Sequence, residues 1–339
     1  MPKKKQVVED NFKEEDFIEP IETPKDYIST GCTILDLAIA NKLPGGVPCG
    51  RIIHILGDES TSKTAIGTEL IGATIRKGGI GALDDIEATW DSDYGKLFGV
   101  DSSSPLFVKY RTPTIEDLYQ KTLMGMVERV KIINKPSVIL IDSLSAIPSS
   151  AELDKTMEDS AFGTTRAKMM SLGFRKALGE IQKTNLCVVF IDQTRDNPNV
   201  TWGNKKTTSG GKALKFYSSV ELYLFKLETI KNSYKLPVGV KIGFRVEKNK
   251  VAPPFREGFI RLIFDYGFDD IGTSLEWLHE VEKAKNPNSR WAYKEHTGRG
   301  LNDLIRCVEE NNLEEDLRQE VSRVWFEAYK PSERKQKVR

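Results

Sequence analysis

Residues 51–78 read RIIHILGDESTSKTAIGTELIGATIRKG, in which a polar loop joins an apolar run to a helical run. The apolar run RIIHIL has the character of a buried strand, and the helical run begins directly after the loop. A loop in this position points its backbone amides at a phosphate, and the N-terminus of the following helix adds a favourable dipole. The stretch therefore predicts a strand, a phosphate-binding loop and a helix, in that order.

The loop departs from the phosphate-loop consensus at one position. That consensus is G-x-x-x-x-G-K-[ST], and here Ser62 replaces the second glycine. If the loop binds a nucleotide, Lys63 neutralises the β- and γ-phosphates and the Thr64 hydroxyl ligates Mg²⁺. The alternative is an ordinary strand-to-helix turn with a capping serine. The candidate phosphate-binding residues are Gly57, Asp58, Glu59, Ser60, Thr61, Ser62, Lys63 and Thr64.

Other apolar runs alternate with amphipathic helical stretches between residues 28 and 271. The predicted strands are Arg51–Leu56, Ile80–Asp85, Val138–Ile141, Leu186–Ile191, Val220–Phe225, Val240–Val246 and Phe259–Phe264. This alternation predicts an α/β fold with a mostly parallel, twisted sheet and helices on both faces. The third strand leads into Asp142, at the sheet edge where a carboxylate can hold Mg²⁺ beside a phosphate loop.

The composition limits the possible functions. The 339 residues carry 50 Lys and Arg against 49 Asp and Glu, and this net charge of +1 gives no global indication of nucleic-acid binding. No membrane span is expected, because no run approaches about 18 uninterrupted apolar residues. No apolar stretch follows the basic N-terminus, so a secretory signal is not expected either. The four scattered cysteines are predicted to be reduced thiols in the cytoplasm.

The chain is predicted to have three parts. Residues 1–27 are polar and are interpreted as a short N-terminal polymerisation arm. Residues 28–271 form the α/β core, and residues 272–339 form a small C-terminal α/β domain with a basic tail. The basic runs at the two ends are interpreted as solvated termini, with nucleic-acid binding as the alternative.

Six segments between about Asp26 and Gly272 together resemble the RecA family of recombinases. The entry into the ATPase core corresponds to ISTGCTILDLAIANKLPGGVPCGRIIHILGDES, the segment with the catalytic glutamate to LDDIEATWDSDYGKLFGVD, and the Walker B strand to ILIDSLSAI. The two DNA-binding loops correspond to FGTTRAKMMSLGFRKALGEIQKTN and VVFIDQTRDNPNVTWGNKKTTSGGKALKFYSS. The segment that reaches the ATP of a neighbouring subunit corresponds to VEKNKVAPPF.

The resemblance implies a RecA-type P-loop ATPase core. It also implies a DNA-dependent ATPase that uses ATP and Mg²⁺, forms helical filaments on single-stranded DNA and exchanges strands with a homologous duplex. The implied partners are single-stranded DNA, double-stranded DNA and further copies of the chain, with a recombination mediator or single-strand-binding protein in addition. No membrane partner is expected. The implied location is the cytoplasm of a bacterial cell, and a phage-infected cell is one form of that expectation.

Single residues acquire roles from the same resemblance. Glu87 corresponds to the carboxylate that activates the attacking water, and Gln193 to the amide that senses the γ-phosphate. Lys248 and Lys250 correspond to the two lysines that reach the next subunit's ATP. Because residues i and i+2 of a strand face the same side, these lysines are predicted to share a strand face. The alternatives are a solvated loop acid for Glu87 and a solvated strand face for the lysines.

The base of the nucleotide is expected to meet aromatic side chains. Tyr94 corresponds to the ring that stacks on adenine, with core packing as the alternative. Asp91 and Phe264 are further candidate contacts to the nucleotide.

DNA binding is predicted for two loops. Residues 194–209 combine basic residues, a tryptophan and glycines, a composition that can order on a ligand, while an ordinary surface hairpin is the alternative. The first loop is acidic at Glu158 and Asp159, and basic residues follow it at helical spacing. The candidate DNA-binding residues are Phe162, Arg166, Lys168, Arg175, Arg195, Trp202, Lys205, Lys206, Ser209, Gly210 and Gly211.

The chain also departs from bacterial members of the family. Ser62 replaces a glycine, the N-terminal arm is shorter, and a basic tail stands where those members have an acidic one. Phage-encoded relatives vary at such places. Two other functional classes stay open: a non-hydrolysing DNA-binding filament protein, in which Ser62 has crippled catalysis, and a ring helicase built on the same core.

Overall fold

The computed structural model describes residues 23–153, 162–196, 206–208 and 211–330. The strands are β1 (Tyr27–Ile28), β2 (Val47–Pro48), β3 (Ile52–Gly57), β4 (Gly81–Asp85), β5 (Phe107–Tyr110), β6 (Ser137–Asp142), β7 (Leu186–Asp196), β8 (Lys206–Thr208), β9 (Val220–Lys231), β10 (Pro237–Asn249), β11 (Glu257–Ile263), β12 (Gly267–Phe268), β13 (Ala292–Tyr293) and β14 (His296–Thr297). The helices are α1 (Thr33–Ala40), α2 (Lys63–Arg76), α3 (Ser92–Leu97), α4 (Ile115–Asp117), α5 (Met124–Ile133), α6 (Ser150–Leu153), α7 (Phe162–Gln182), α8 (Gly211–Tyr217), α9 (Asp270–Lys285), α10 (Leu301–Glu310) and α11 (Glu314–Ala328).

One large sheet organises the fold, with the strand order β12-β11-β10-β9-β3-β7-β6-β4-β5. The strands from β9 to β5 are mutually parallel, and β10, β11 and β12 continue the sheet in antiparallel fashion. The predicted α/β fold with a mostly parallel sheet is therefore confirmed. The antiparallel edge was not predicted, because the apolar pattern of a strand does not reveal its direction.

The sheet separates two apolar clusters, because successive residues of a strand face opposite sides. In β3, Ile53 belongs to one cluster and Ile52 to the other. Helix α2 covers the first face with residues such as Leu70, and α7 covers the second with Met170 and Phe174. Helices therefore lie on both faces, as predicted, and Met170 is a core residue.

The boundaries of several elements differ from the predictions. Strands β9 and β10 extend further than their apolar runs, since their outer ends carry polar residues. Strand β5 was not predicted, and β13 and β14 form a short hairpin after residue 272. The apolar cluster beneath α9 and α11 is continuous with that of the core.

The structure describes only part of the N-terminal and C-terminal segments of the chain. Of the predicted arm, residues 1–22 lie outside the described residues, and Tyr27 pairs within β1 and β2. The basic tail from residue 331 also lies outside them. Within the described ranges, no helix has both the length and the apolar content needed to cross a membrane.

Candidate functional site

The predicted phosphate loop connects the end of β3 to the start of α2. Gly57 ends the strand, where an added Cβ would approach the Leu224 carbonyl oxygen to 2.6 Å. Ser62 precedes the helix with φ 60° and ψ 29°, and Ser60 also has a positive φ of 57°. The left-handed conformation disfavours residues with a Cβ, so the consensus glycine has a physical reason at position 62.

A cavity of about 510 Å³ lies over this loop at the carboxyl ends of the parallel strands. In a parallel α/β sheet, this edge is where ligands bind. The lining residues are Glu59, Ser60, Thr61, Ser62, Lys63, Thr64, Ala65, Glu87, Thr89, Tyr94, Asp142, Ile191, Gln193, Lys226, Val240 and Phe264. The structure thus brings most of the predicted nucleotide residues to one place. The lining residues that were not predicted are Ala65, Thr89, Ile191, Lys226 and Val240, and no local motif marks them.

Lys63 is folded back over the loop. Its Nζ donates hydrogen bonds to the carbonyl oxygens of Gly57 (3.0 Å) and Asp58 (2.6 Å). Burial lowers the pKa of Lys63, while the nearby carboxylates of Asp142 and Asp58 act in the opposite direction. Phosphate oxygens are stronger acceptors than these carbonyls because they carry charge. The ammonium is therefore placed to exchange the loop carbonyls for a bound phosphate.

Thr64 and Asp142 bring two oxygen ligands together from different elements. The Thr64 hydroxyl, at the start of α2, donates to Asp142 Oδ2, at the end of β6, over 2.7 Å. Burial raises the pKa of Asp142; the Thr64 hydrogen bond lowers it and the charge of Glu87 raises it. Hydroxyl and carboxylate oxygens suit Mg²⁺, which prefers hard oxygen ligands and keeps several waters. The pair fits the predicted metal site.

Glu87 is held at the cavity by a serine pair. Ser143 Oγ donates to Glu87 Oε1 over 2.6 Å, and Ser145 Oγ lies 2.6 Å from the same hydroxyl. Glu87 itself is exposed and lines the cavity. Ser143 directly follows Asp142, and no local pattern marks it as a functional residue. In the structure its hydroxyl holds the Glu87 carboxylate by this hydrogen bond.

Two aromatic side chains lie at the cavity where a base would fit. Tyr94 packs its ring edge-to-face on Phe98, with centroids 5.2 Å apart, and burial raises its pKa to about 12. Phe264 lies just beyond β11 and is 49% exposed. Asp91 does not line the cavity; its carboxylate caps α3 by accepting the Asp93 amide at 3.0 Å.

Gln193 connects the cavity to the second predicted DNA loop. It lies in β7 in register with Gly57 of β3, and its side chain lines the cavity. The next residue, Thr194, donates a hydrogen bond from its hydroxyl to the Asp58 carboxylate. The start of the loop is therefore tied directly to the phosphate loop.

The predicted DNA-binding residues are only partly described. Residues 194–196 of β7 pair antiparallel with residues 206–208 of β8, so that Arg195 is opposite Thr207 and Lys206 is opposite Asp196 at the base of the loop. Helix α7 begins at Phe162 and contains Arg166, while Lys168 and Arg175 on the same helix are exposed. Gly211 begins α8. Those outside the described residues are Trp202, Lys205, Ser209 and Gly210.

Lys248 and Lys250 lie away from the chain's own phosphate loop. The end of β10 pairs with the start of β9, and β9 runs parallel to β3, so these lysines lie toward the amino ends of the parallel strands, away from the cavity. The two lysines do not share a strand face as predicted, because β10 ends at Asn249 and Lys250 lies one residue beyond it. Burial and the charge of Lys250 lower the pKa of Lys248.

Comparison with known proteins agrees with this architecture. The family model for the RecA N-terminal domain matches residues 11–269. The chain is 35% identical to Protein RecA of Clostridioides difficile over 287 residues, which cover 84% of this chain and 79% of that protein. It is 32% identical to Protein RecA of Malacoplasma penetrans over 322 residues, which cover 94% and 93%.

The chain belongs to the RecA family. A similar match, 32% identity over 303 residues, connects it to Protein RecA of Synechocystis, with 88% of this chain and 82% of that protein covered. The predicted resemblance is thereby confirmed for most of the chain. Within this RecA-family core, the roles of individual site residues stay predictions.

We expect Ser62→Gly to tighten ATP binding modestly and to leave DNA-dependent phosphate release similar. Glycine adopts φ 60° without the cost of about 1–2 kcal/mol that a side chain brings to the left-handed region. Titration calorimetry and thermal unfolding would measure the effect. Ser60→Gly is the matched control, because it relieves a similar torsion away from the consensus position. An inactive parent rescued by Ser62→Gly would show that Ser62 disables the site.

Proposed function

We propose that this protein is an ATP-dependent homologous recombinase that forms helical filaments on single-stranded DNA and exchanges strands with a homologous duplex. The observation that carries the proposal is that the predicted ATP-contacting residues fall into two groups, toward opposite ends of the sheet strands. Lys63, Glu87 and Gln193 surround one cavity, whereas Lys248 and Lys250 lie outside it, toward the opposite ends of the strands, where they would contact the ATP of another subunit. Membership in the RecA family supports the same function.

The chemistry expected of the cavity is hydrolysis of the γ-phosphate of ATP. Mg²⁺, held by Thr64 and Asp142, would neutralise charge on the phosphate oxygens. Lys63 would donate to the β- and γ-phosphates. Glu87, fixed by the Ser143 hydroxyl, would orient the attacking water and accept its proton. Removal of the γ-phosphate would then change the contacts of the Gln193 amide.

Assembly is proposed to complete this site. ATP bound to one subunit would meet Lys248 and Lys250 of the next, so each nucleotide would join two subunits. Gln193 would link the γ-phosphate to the loop at residues 194–209 and therefore to DNA. Because linkage is reciprocal, DNA must raise ATP affinity if ATP raises DNA affinity. Sequence specificity would come from base pairing between strands.

The proposed partners are single- and double-stranded DNA, copies of the same chain, and a mediator or single-strand-binding protein that loads the filament. The proposed location is the bacterial cytoplasm, including that of a phage-infected cell.

One alternative function is supported by a specific observation, the positive φ of Ser62. In a non-hydrolysing filament protein, the strained torsion of Ser62 would disable catalysis. Phosphate release with and without single-stranded DNA, combined with electron microscopy of the same samples, tests both functions. DNA-stimulated release with helical filaments supports the recombinase, and filaments without release support the alternative. Closed rings would instead indicate a ring motor and contradict both.

We expect Lys248→Ala combined with Lys250→Ala to weaken filaments and lower DNA-stimulated hydrolysis at least about 10-fold, since hydrogen bonds to charged groups contribute about 1.5–3 kcal/mol each. ATP binding by isolated subunits is expected to be unchanged, because both lysines are remote from the cavity. Lys231→Ala with Lys235→Ala, two exposed lysines at the β9–β10 turn, is the control. If ATP binding by isolated subunits fell as much as hydrolysis, the two lysines would contact the chain's own ATP, and the proposal would be contradicted.

A further inference from the structure

A cluster of charged side chains is buried within the sheet, outside the chemistry described above. His54 of β3 lies between Asp192 of β7 and Glu221 of β9, the two strands that flank it. Its Nε2 is 3.7 Å from Asp192 Oδ2, and its Nδ1 is 3.7 Å from Glu221 Oε2. All three side chains are at most 1% exposed. Each ring nitrogen therefore faces one buried carboxylate.

This arrangement favours a positive charge on the ring. An imidazolium at this position faces a carboxyl group on each side, which offsets the cost of burying its charge in a low-dielectric interior. Burial alone would lower the pKa of His54, but Asp192 and Glu221 outweigh burial and raise it. Burial likewise acts to raise the pKa of Glu221, and His54 and Lys215 outweigh it and lower it.

The two carboxylates lead toward the two regions that contact nucleotide in the proposed function. Asp192 immediately precedes Gln193, whose side chain lines the cavity. On the other side, Glu221 Oε1 is 3.2 Å from the Lys215 ammonium of α8.

Helix α8 in turn positions Lys248. The Lys248 Nζ donates to the carbonyl oxygens of Lys215 (2.5 Å) and Phe216 (3.1 Å). Lys248 is also in register with Glu221 on the neighbouring strand. A continuous series of contacts thus runs from the strand that carries Gln193, through His54, to Lys248.

We propose that His54 is a positioning residue that holds the γ-phosphate sensor strand and the Lys248 region in register, so that one subunit's own ATP site and its contact to the neighbour's ATP act together. The proposal rests on the proposed function of both sites. The imidazolium attracts a carboxyl group on each flanking strand, and loss of its charge would remove both attractions. The coupling of the two sites should then weaken without loss of either site.

The proposal predicts a pH dependence with a definite sign. The groups facing His54 are Asp192 from β7 and Glu221 from β9, and Lys215 of α8 lies behind Glu221. Because the folded-state pKa of His54 is raised, its stabilising charge is fully present below the unfolded pKa of 6.5 and is lost as pH rises through the folded value. DNA-stimulated hydrolysis should therefore fall as pH rises through the folded-state pKa of His54, while ATP binding by isolated subunits persists.

The first test compares the parent with His54→Gln, which is neutral at every pH. At neutral pH we expect the variant to lose about tenfold in DNA-stimulated hydrolysis, a typical coupling factor. The fall in DNA-stimulated hydrolysis with rising pH that the parent shows should be absent, and isolated subunits of the variant should still bind an ATP analogue. His54→Lys, which restores the charge, should recover activity and extend it to higher pH. His296→Gln, on the C-terminal hairpin, is the matched control. A folded His54→Gln protein with the parent's rate and pH profile would overturn the proposal.

Two further measurements keep the test decisive. If His54→Gln does not fold, the triple variant His54→Gln, Asp192→Asn, Glu221→Gln removes the charges together; it should fold and still show the weakened coupling. An NMR titration of the parent, with the His54 signal assigned by its absence from a variant, should give a pKa above 6.5. Titration at or below 6.5 would overturn the inference whatever the enzymatic activity. A parent without DNA-stimulated hydrolysis, but with a raised His54 pKa, would instead contradict the proposed function.

Discussion

Lys63→Ala is expected to lose at least about 100-fold in ATP affinity while the protein stays folded, because hydrogen bonds to charged groups contribute about 1.5–3 kcal/mol each. The Lys63 ammonium lies at the phosphate loop and donates to two of its carbonyl oxygens. Alanine removes both the charge that would meet the β- and γ-phosphates and those two donors. Binding of a fluorescent ATP analogue, with circular dichroism to verify folding, measures the result.

A control for this variant is available at the C-terminal end of α2. Lys77→Ala, just past the far end of α2, removes an exposed lysine and should leave nucleotide affinity unchanged. A folded Lys63→Ala protein that binds ATP as the parent does would contradict the phosphate-loop assignment.

Glu87→Gln is expected to retain ATP-dependent filaments but to slow hydrolysis by about 10²–10⁴-fold, the usual contribution of a positioned general base. Glutamine has nearly the same shape, and its amide oxygen can still accept the Ser143 hydrogen bond. Only the proton-accepting charge is lost, so ATP binding and assembly should continue. Single-turnover phosphate release and electron microscopy measure the two properties separately.

The serine beneath Glu87 sharpens this test. Ser143→Ala keeps the carboxylate but removes the donor that orients it, so its rate should fall between those of the parent and Glu87→Gln. Glu128→Gln, an exposed glutamate on α5, is the control for charge alone. Turnover near the parent value in Glu87→Gln would show that another group activates the water.

The phosphate loop, its flanking elements and the buried strands were predictable from the sequence, because their signals are local. An apolar run such as β6 needs burial on both faces, and the order of loop and helix places Lys63 and Thr64 at the sheet edge. Six collinear segments also indicated the RecA family, and the similarity to proteins named RecA confirms it.

Local periodicity was insufficient where the backbone is irregular. Lys248 and Lys250 are two residues apart, yet β10 ends at Asn249, so Lys250 lies outside the strand and the two do not share a strand face. The antiparallel direction of β10, β11 and β12 could not be predicted either, because an apolar strand has the same sequence pattern in either direction.

The sequence by itself determined the fold class, the phosphate loop and the family, since these depend on residues close together in the chain. Only the tertiary structure decided which distant side chains meet. The Ser143 hydroxyl reaches Glu87 across two neighbouring strands, and His54 meets Asp192 and Glu221 from strands far apart in the chain. Strand order and register set these distances, and the energies of buried charges depend on them, so the neighbours of His54 became evident only in the folded sheet.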